Sequence, residues 1–198
     1  CPYTADKARI VVQEMVDGIS LELVEKRLVT AQLVLTVGYD IENLTRPEIR
    51  KVYKGPVTTD RYGRRVPKHA HGTWNLPRAT SSSSELLEAM AALYDKIVNP
   101  ALLIRRMSLS ACHVVNEKMA KEREQKETFE QLDLFTDYAK KEAKEKEEQK
   151  KRERERRMQE ALLTIKKKYG KNAVLRGMNF EEGATAKERN GQIGGHQA

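Results

Sequence analysis

Residues 103–115 carry the side chains with the clearest chemical character in the chain. From Met107 onward polar and apolar residues alternate, and a period of two is typical of a half-buried strand. One face is small and hydroxylated and begins with two arginines, which suits a polyanion better than a lipid or an apolar ligand. The polar set is Arg106, Ser108, Ser110 and Cys112, and the apolar set is Met107, Leu109 and Ala111.

The positive charge of the chain is concentrated in one region. The 198 residues carry a formal net charge of +8, and residues 46–78 hold nine Lys and Arg against two acids, which gives +7 in that stretch. A local basic patch indicates nucleic acid or an anionic surface as a partner, with simple solubility as the alternative. The chain is 33% charged and 6% aromatic, so part of it is expected to be extended or solvated.

The first 116 residues predict alternating helices and strands. Helical spacing of apolar residues predicts a helix over 4–28, and strand patterns cover 31–40, 68–78 and 103–115. The serine run 81–84 is expected to cap a helix over 84–98. Residues 41–67 read as an insertion with a hairpin turn at 60–63. This order predicts an α+β fold, a ferredoxin-like β-α-β-β-α-β unit whose first strand would precede Cys1. A chain that begins with Cys is expected to be processed or cut from a longer protein.

The composition changes after residue 116. Residues 117–169 carry 17 basic and 14 acidic residues, with favourable i,i+4 pairs such as Glu148/Arg152 and Glu153/Arg157. We expect a linker over 117–136, a solvated charged helix over 137–169, and a loosely ordered tail over 170–198, which holds six of the eleven glycines. The alternative for the charged helix is a second nucleic-acid site.

Cysteines and histidines give weaker signals. Two cysteines do not make a disulfide framework and suggest a reducing cytosol, and no run of 18 apolar residues predicts a membrane span. A zinc site at His69, His71, Cys112 and His113 is disfavoured because no Cys-x-x-Cys pair accompanies them. We therefore predict a cytoplasmic protein, a monomer, with no metal and no cofactor in this chain.

Trp74 is expected in the core, with base stacking as the alternative.

The chain resembles the C-terminal part of a Y-family DNA polymerase, the error-prone translesion class. The likeness is carried by residues 32–40, by 68–78 (Lys-His-Ala-His-Gly-Thr-Trp-Asn-Leu-Pro-Arg) and by 104–110 (Ile-Arg-Arg-Met-Ser-Leu-Ser). Residues 1–116 look like the little finger domain of that family. The tail segments 170–180 and 192–196 are similar to those of Gram-positive-type bacterial members.

The resemblance implies lesion bypass in DNA repair and the SOS response. In that family the sheet of the little finger lies in the major groove and grips the DNA backbone, and Arg105 and Arg106 match arginines at the start of its last strand. Ser110 stands where other members carry a basic residue, which implies a weaker contact there. The candidate DNA-binding residues are Thr36, Arg64, Arg65, Lys68, His71, Thr73, Asn75, Arg78, Arg105, Arg106, Ser108 and Ser110.

No spaced pair of acidic residues on an apolar strand corresponds to the metal-binding carboxylates of the family's palm domain. The Mg²⁺ that the family uses is expected in that missing palm, and this chain is expected to be inactive as a polymerase when isolated. Any catalytic role therefore requires a segment that these residues do not contain.

An apolar pentapeptide lies between two charged stretches, at Gln131, Leu132, Asp133, Leu134 and Phe135. It resembles the sliding-clamp-binding peptide of bacterial polymerases, in which a linker presents apolar anchors to a cleft. The alternative is an amphipathic turn that folds back on its own domain.

The sequence is compatible with three alternative functions. The first is sequence-independent binding of template-primer DNA by a translesion polymerase tethered to the sliding clamp. The second is a ferredoxin-like RNA-binding module, which would need stacking aromatics where the sheet has Thr, Ser, Asn and Arg. The third is a non-catalytic regulator that binds the clamp and DNA.

Overall fold

The computed structural model describes residues 2–130, 138–193 and 196–197, and its first part is a sheet covered by two helices. The predicted helices and strands of this part are present, with ends shifted by a few residues. In chain order the elements are α1 (Ala5–Glu25), β1 (Leu28–Tyr39), α2 (Glu42–Thr45), α3 (Pro47–Val52), β2 (Val57–Thr59), β3 (Arg65–Pro67), β4 (Ala70–Thr80), α4 (Ser83–Ile97) and β5 (Ile104–Asn116).

The main sheet is antiparallel, with the strand order β4–β1–β5. The mixed α+β class is confirmed, and the order of elements is that of a ferredoxin-like unit without its first strand. The strand order does not establish that topology, because β1 is central and pairs on both sides, whereas a ferredoxin-like sheet has this strand at an edge. Tyr3 pairs with Ile104 through hydrogen bonds of 2.8 and 2.7 Å, so the chain that enters α1 lies beside β5.

The core lies between one face of the sheet and helices α1 and α4. Leu33, Leu35 and Val37 of β1 are at most 1% exposed and pack with apolar residues of both helices. Trp74 is partly buried against this core, as expected. Gly72 is required for the close packing of α4, because a Cβ there would lie 2.8 Å from both Leu93 and Ile97.

The ends of α4 follow from local sequence. Ser82 is the N-cap residue, and its hydroxyl accepts a hydrogen bond from the amide of Glu85 at 3.3 Å. The helix ends before Asn99 and Pro100, where the proline restricts the preceding residue to an extended conformation. Capping by the serine run was predicted correctly.

The C-terminal part differs from the sequence expectation. Helix α5 (Glu117–Glu130) begins directly after β5, in the stretch expected to be a linker. Helix α6 (Tyr138–Tyr169) matches the expected charged helix in extent. A 3₁₀ helix (Gly177–Phe180), helix α7 (Ala186–Arg189) and a short β6–β7 pair (Gln192–Ile193 and His196–Gln197) follow.

One expectation for this part is wrong. The tail is not loose over 170–193, because Asn179, Thr185 and Arg189 bond to Glu14 of α1. The charged helix is exposed over most of residues 146–169, as expected, but near its end Gln159 is 1% exposed and bonded to the serine run. Periodicity could not reveal either contact, since each joins polar side chains that are distant in sequence.

Candidate nucleic-acid interface

The face of the sheet that is not covered by helices carries rows of polar side chains. Thr36 of β1 stands opposite His71 of β4 on one side and Ser108 of β5 on the other. The next row along the strands joins Thr73, Val34 and Ser110. These registers confirm that the predicted polar positions of the three strands share one surface, which we call the open face. Its positions are Gln32, Val34, Thr36, His71, Thr73, Asn75, Arg106, Ser108 and Ser110, and none is acidic.

Hydrogen bonds across the strands orient part of the open face. The side-chain Nε2 of Gln32 donates to Oδ1 of Asn75 at 2.8 Å, and Oγ1 of Thr36 lies 2.9 Å from Nδ1 of His71. Both pairs are exposed to solvent, so they leave hydroxyl and amide groups able to bond a ligand. Such neutral groups contact phosphate and sugar oxygens in protein–DNA complexes.

A bulge at the start of β5 places two arginines beside each other. The register of β5 against β1 shifts here, because Gly38 pairs with Arg106 while Tyr39 pairs with Ile104, so Arg105 is the extra residue. Ile104 is 2% exposed and Met107 packs on the core, which leaves both arginines between them on the exposed side. Regular alternation would have sent Arg105 to the helix-covered face.

Asp40 holds one of these arginines. The Nε atom of Arg105 lies 3.8 Å from Oδ2 of Asp40, whose side chain is 8% exposed while that of Arg105 is 63% exposed. The other carboxylate oxygen of Asp40 accepts the amide of Glu42 at 2.8 Å. The contact orients the guanidinium of Arg105 toward Asp40. Because the distance is long for an ion pair and the side chain is mostly exposed, most of the guanidinium N–H donors stay available to a ligand.

The β2–β3 hairpin forms a second basic surface with a tightly bonded turn. Asp60 accepts the amides of Tyr62 and Arg64 at 2.8 and 3.0 Å and the Nε of Arg64 at 2.8 Å. Gly63 adopts a φ of 77°, the left-handed conformation that glycine allows. The hydrogen bond from the Arg64 amide, with the other bonds and the Arg64 charge, holds the pKa of Asp60 below its ordinary value despite the opposing effect of burial. This carboxylate therefore stays charged to a lower pH than an ordinary aspartate, and its hydrogen bonds close the turn.

Tyr62 gathers two of the hairpin cations. The guanidinium carbons of Arg61 and Arg64 lie 5.2 and 5.1 Å from its ring centroid, within the range of a cation–π contact. The residue is 70% exposed at the tip of the hairpin. The pairing of Arg64 with Asp60 partly offsets its charge, so Arg61 carries more of the free positive charge at this tip.

The remaining predicted residues divide into two groups. Arg65 and Lys68 are exposed at the base of the hairpin and at the entrance to β4. Arg78, by contrast, is not brought to the open face, because its guanidinium pairs with Glu85 in the first turn of α4. The register of β4 against β1 shifts beyond Asn75, so Arg78 does not continue the rows of the open face.

The pentapeptide at 131–135 lies outside the described residues, so its expected role in clamp binding stays a prediction. Within the described part of the chain, no three His, Cys, Asp or Glu side chains are grouped to hold a metal ion. In the same part, no helix has the length and apolarity to cross a membrane.

Sequence reasoning missed three residues of the two basic surfaces. Asp40 and Asp60 are acids that orient arginines, and Tyr62 supports two of them. The run Arg-Tyr-Gly-Arg at 61–64 was a usable signal, because an aromatic residue flanked by arginines at a turn favours cation–π contacts. The contact between Asp40 and Arg105 had no comparable signal, since 65 positions separate the two residues and a bulge aligns them.

Comparisons with protein-family models, with curated proteins and with solved structures found no match for this chain.

Proposed function

We propose that this chain binds duplex DNA through the open face and the hairpin, as the little finger region of a translesion polymerase tethered to a sliding clamp. The observation that carries the proposal is the bulge in β5, which places Arg105 and Arg106 together at one end of an acid-free polar sheet surface. Arginines at the rim and hydroxyl groups in the middle suit a sugar-phosphate backbone.

The dimensions of the sheet support a duplex as the ligand. Three strands spaced about 4.8 Å apart span roughly 10 Å between the outer strand axes. The major groove of B-DNA is about 12 Å wide, so the outer strands of a sheet laid over it would stand close to the phosphates that border the groove. Contacts to phosphate and sugar oxygens carry no sequence information, which agrees with the sequence-independent binding that lesion bypass requires.

The hairpin extends the basic surface beyond the sheet. Arg61, Arg65 and Lys68 are exposed, and the bonds of Asp60 limit the motion of the turn. An ordered basic hairpin loses less conformational entropy when it contacts phosphates than a flexible one would. An RNA-binding function is less well supported, because no Phe, Tyr or Trp occupies the open-face positions for stacking bases.

Two pairs of substitutions test the DNA and clamp parts separately. Arg105→Ala with Arg106→Ala should weaken binding to duplex DNA and flatten its salt dependence by about 0.9 for each phosphate that the variant no longer binds. Lys26→Ala with Lys96→Ala removes the same charge from two exposed positions, one directly after α1 and one on α4, and serves as the control. An unchanged salt slope in the arginine variant would refute the proposed DNA surface.

Leu134→Ala with Phe135→Ala should abolish binding to the bacterial sliding clamp while leaving DNA binding intact. Equal clamp affinity in this variant would refute the assignment of the pentapeptide. Nucleotide incorporation by the isolated chain is expected to be absent, and a template-dependent signal would contradict the need for a separate palm domain.

A further inference from the structure

The second half of α6 is bound to the N-terminus of α4. The carboxylate of Glu155 accepts hydrogen bonds from Oγ of Ser82 at 2.7 Å, and from the amide and Oγ of Ser84 at 2.8 Å each. Burial raises the pKa of Glu155, but these bonds outweigh it and the pKa falls below its ordinary value. A carboxylate at this end of a helix is also favoured by the helix dipole.

Gln159 adds buried hydrogen bonds to the contact between α6 and the N-terminus of α4. Its side-chain amide is buried, and its nitrogen lies 3.0 Å from both the carbonyl of Ser81 and Oγ of Ser83, and 3.4 Å from Oγ of Ser20. A buried amide is stable only where its hydrogen bonds are satisfied. One face of α6 is therefore fixed against both α1 and α4.

The segment after α6 is held by a buried carboxylate on α1. The side chain of Glu14 has no exposed surface and accepts from Nδ2 of Asn179 at 2.9 Å, from the amide and Oγ1 of Thr185 at 2.9 and 3.1 Å, and from Arg189 at 3.0 Å. A second ion pair joins Arg176 to Asp17 at 2.6 Å. Burying a carboxylate is unfavourable without such partners, so the buried Glu14 and the bonds that it accepts stabilise the docked segment jointly.

The stretch between β5 and the docked part of α6 is closed at its base. Arg156 donates to Oε2 of Glu117, the first residue of α5, at 3.0 Å, and the amide of Glu117 donates to the carbonyl of Arg27 at 3.1 Å. Residues of α5 from Glu117 to Glu124 and of α6 from Glu148 to Gln159 line one groove of about 1110 Å³. Helix α5 thus leaves the sheet close to the point where α6 returns to it.

We propose that residues 155–193 are an intramolecular clasp, and that it closes residues 117–154 into a loop anchored at both ends on the DNA-binding unit. This inference rests on the proposed function, because the pentapeptide at 131–135 belongs to that loop. The clasp makes the sliding-clamp peptide part of a doubly anchored tether of restricted reach rather than part of a free tail.

The lengths of the two helices set the scale of this tether. Helix α5 has 14 residues, and 17 residues of α6 precede its docked part, counted from Tyr138 to Arg154. At 1.5 Å per residue the two arms are about 21 and 26 Å long. Restricting the reach raises the effective concentration of the peptide at a clamp on the same DNA, without a new contact.

Residues that lie outside the core of the sheet allow the clasp to be opened without unfolding it. The opening variant combines Glu155→Ala, Asn179→Ala and Arg189→Ala, and among the residues that the structure describes the hydrophobic core contains none beyond Ala111. The matched control combines Gln149→Ala, Lys187→Ala and Glu188→Ala, which are exposed residues of α6 and α7. Hydrogen exchange across 155–193 reports docking in the full chain. Affinities are measured for the clamp alone, for duplex DNA alone, and for duplex DNA loaded with the clamp.

The wild-type and control chains should protect residues 158–166 and 179–190 from exchange, and the opening variant should lose this protection. Its affinities for clamp alone and for DNA alone should match the control, and its affinity for clamp-loaded DNA should fall about threefold or more. Equal affinity for clamp-loaded DNA in the opened variant would overturn the tethering role, and absence of protection in the wild type would overturn the clasp. A wild type that shows protection but no clamp affinity would instead overturn the proposed function, and with it the tethering role.

Discussion

Glu14 and Arg189 are separated by 175 positions in the chain, and their side chains lie 3.0 Å apart in the structure. This ion pair joins the first helix to the last turn of α7. Because the carboxylate of Glu14 is fully buried, the contact requires its other partners as well, Asn179 and Thr185. The C-terminal segment is therefore part of the folded structure over the residues that carry these contacts.

Acid should release the C-terminal segment from α1. Burial raises the pKa of Glu14, but hydrogen bonds from Asn179 and the Thr185 and Ala186 amides, with the charge of Arg189, bring it below the ordinary value of 4.5. Its contribution to docking is thus fully present above about pH 4.5 and disappears as the pH falls through the lowered pKa. Hydrogen exchange of residues 179–190 at pH 7, 5, 4 and 3 measures this release.

Two other acids also affect how docking depends on pH, and one variant isolates the effect of Glu14. Glu155 also has a lowered pKa and adds to the acid sensitivity. Asp17 opposes it, because burial raises its pKa more than the charges of Arg176 and Lys166 lower it. Glu14→Gln should weaken docking at pH 7 and reduce its dependence on pH below 5. An unaltered pH profile in this variant would contradict the role assigned to Glu14.

Gly72→Ala should destabilise the sheet unit by about 1–3 kcal/mol, the usual cost of overpacking. The new Cβ would lie 2.8 Å from side-chain atoms of Leu93 and Ile97, so α4 would have to move away from β4. Gly18→Ala is the control, because a Cβ there meets nothing within 4 Å and removing glycine from a helix stabilises by roughly 0.5–1 kcal/mol. Urea unfolding measures both changes, and similar values for the two variants would be inconsistent with the close packing at Gly72.

Arg78 and Arg106 should differ in their effect on DNA binding although each carries one positive charge. Arg106→Ala should lower the salt slope by about 0.9 if this arginine binds one phosphate. Arg78→Ala should leave the slope unchanged, because this guanidinium is bound to Glu85. Titration of one duplex at several salt concentrations compares them, and a smaller slope for Arg78→Ala would return this residue to the DNA surface.

Tyr62→Ala should weaken DNA binding by releasing Arg61 and Arg64 from their ring contacts. Each exposed cation–π contact contributes about 0.5–1 kcal/mol to ordering these side chains. Tyr62→Phe keeps the ring and should bind DNA as the wild type does. The comparison is made by duplex titration at low salt, and equal weakening in the two variants would show that the hydroxyl, not the ring, supports binding.

The sequence by itself determined the long helices and the strands of the first 116 residues, but it did not predict the short helices α2 and α3. Alternation in β4 and β5 predicted which side chains share a face, because successive residues of a strand point to opposite sides. The serine run predicted the start of α4, since side-chain capping acts over three residues. These signals are local, and a single stretch of chain contains all the groups that produce them.

Only the tertiary structure decided which distant groups meet. Pairing with β1 set the bulge that puts Arg105 beside Arg106, and it also drew Arg78 toward Glu85 instead of the open face. The burial of Glu14 and Gln159 had no counterpart in composition, because a charged segment that contains glycine covers Glu14 and the serine run covers Gln159. Their stability depends on hydrogen bonds between segments far apart in the chain, and such bonds leave no period in the sequence.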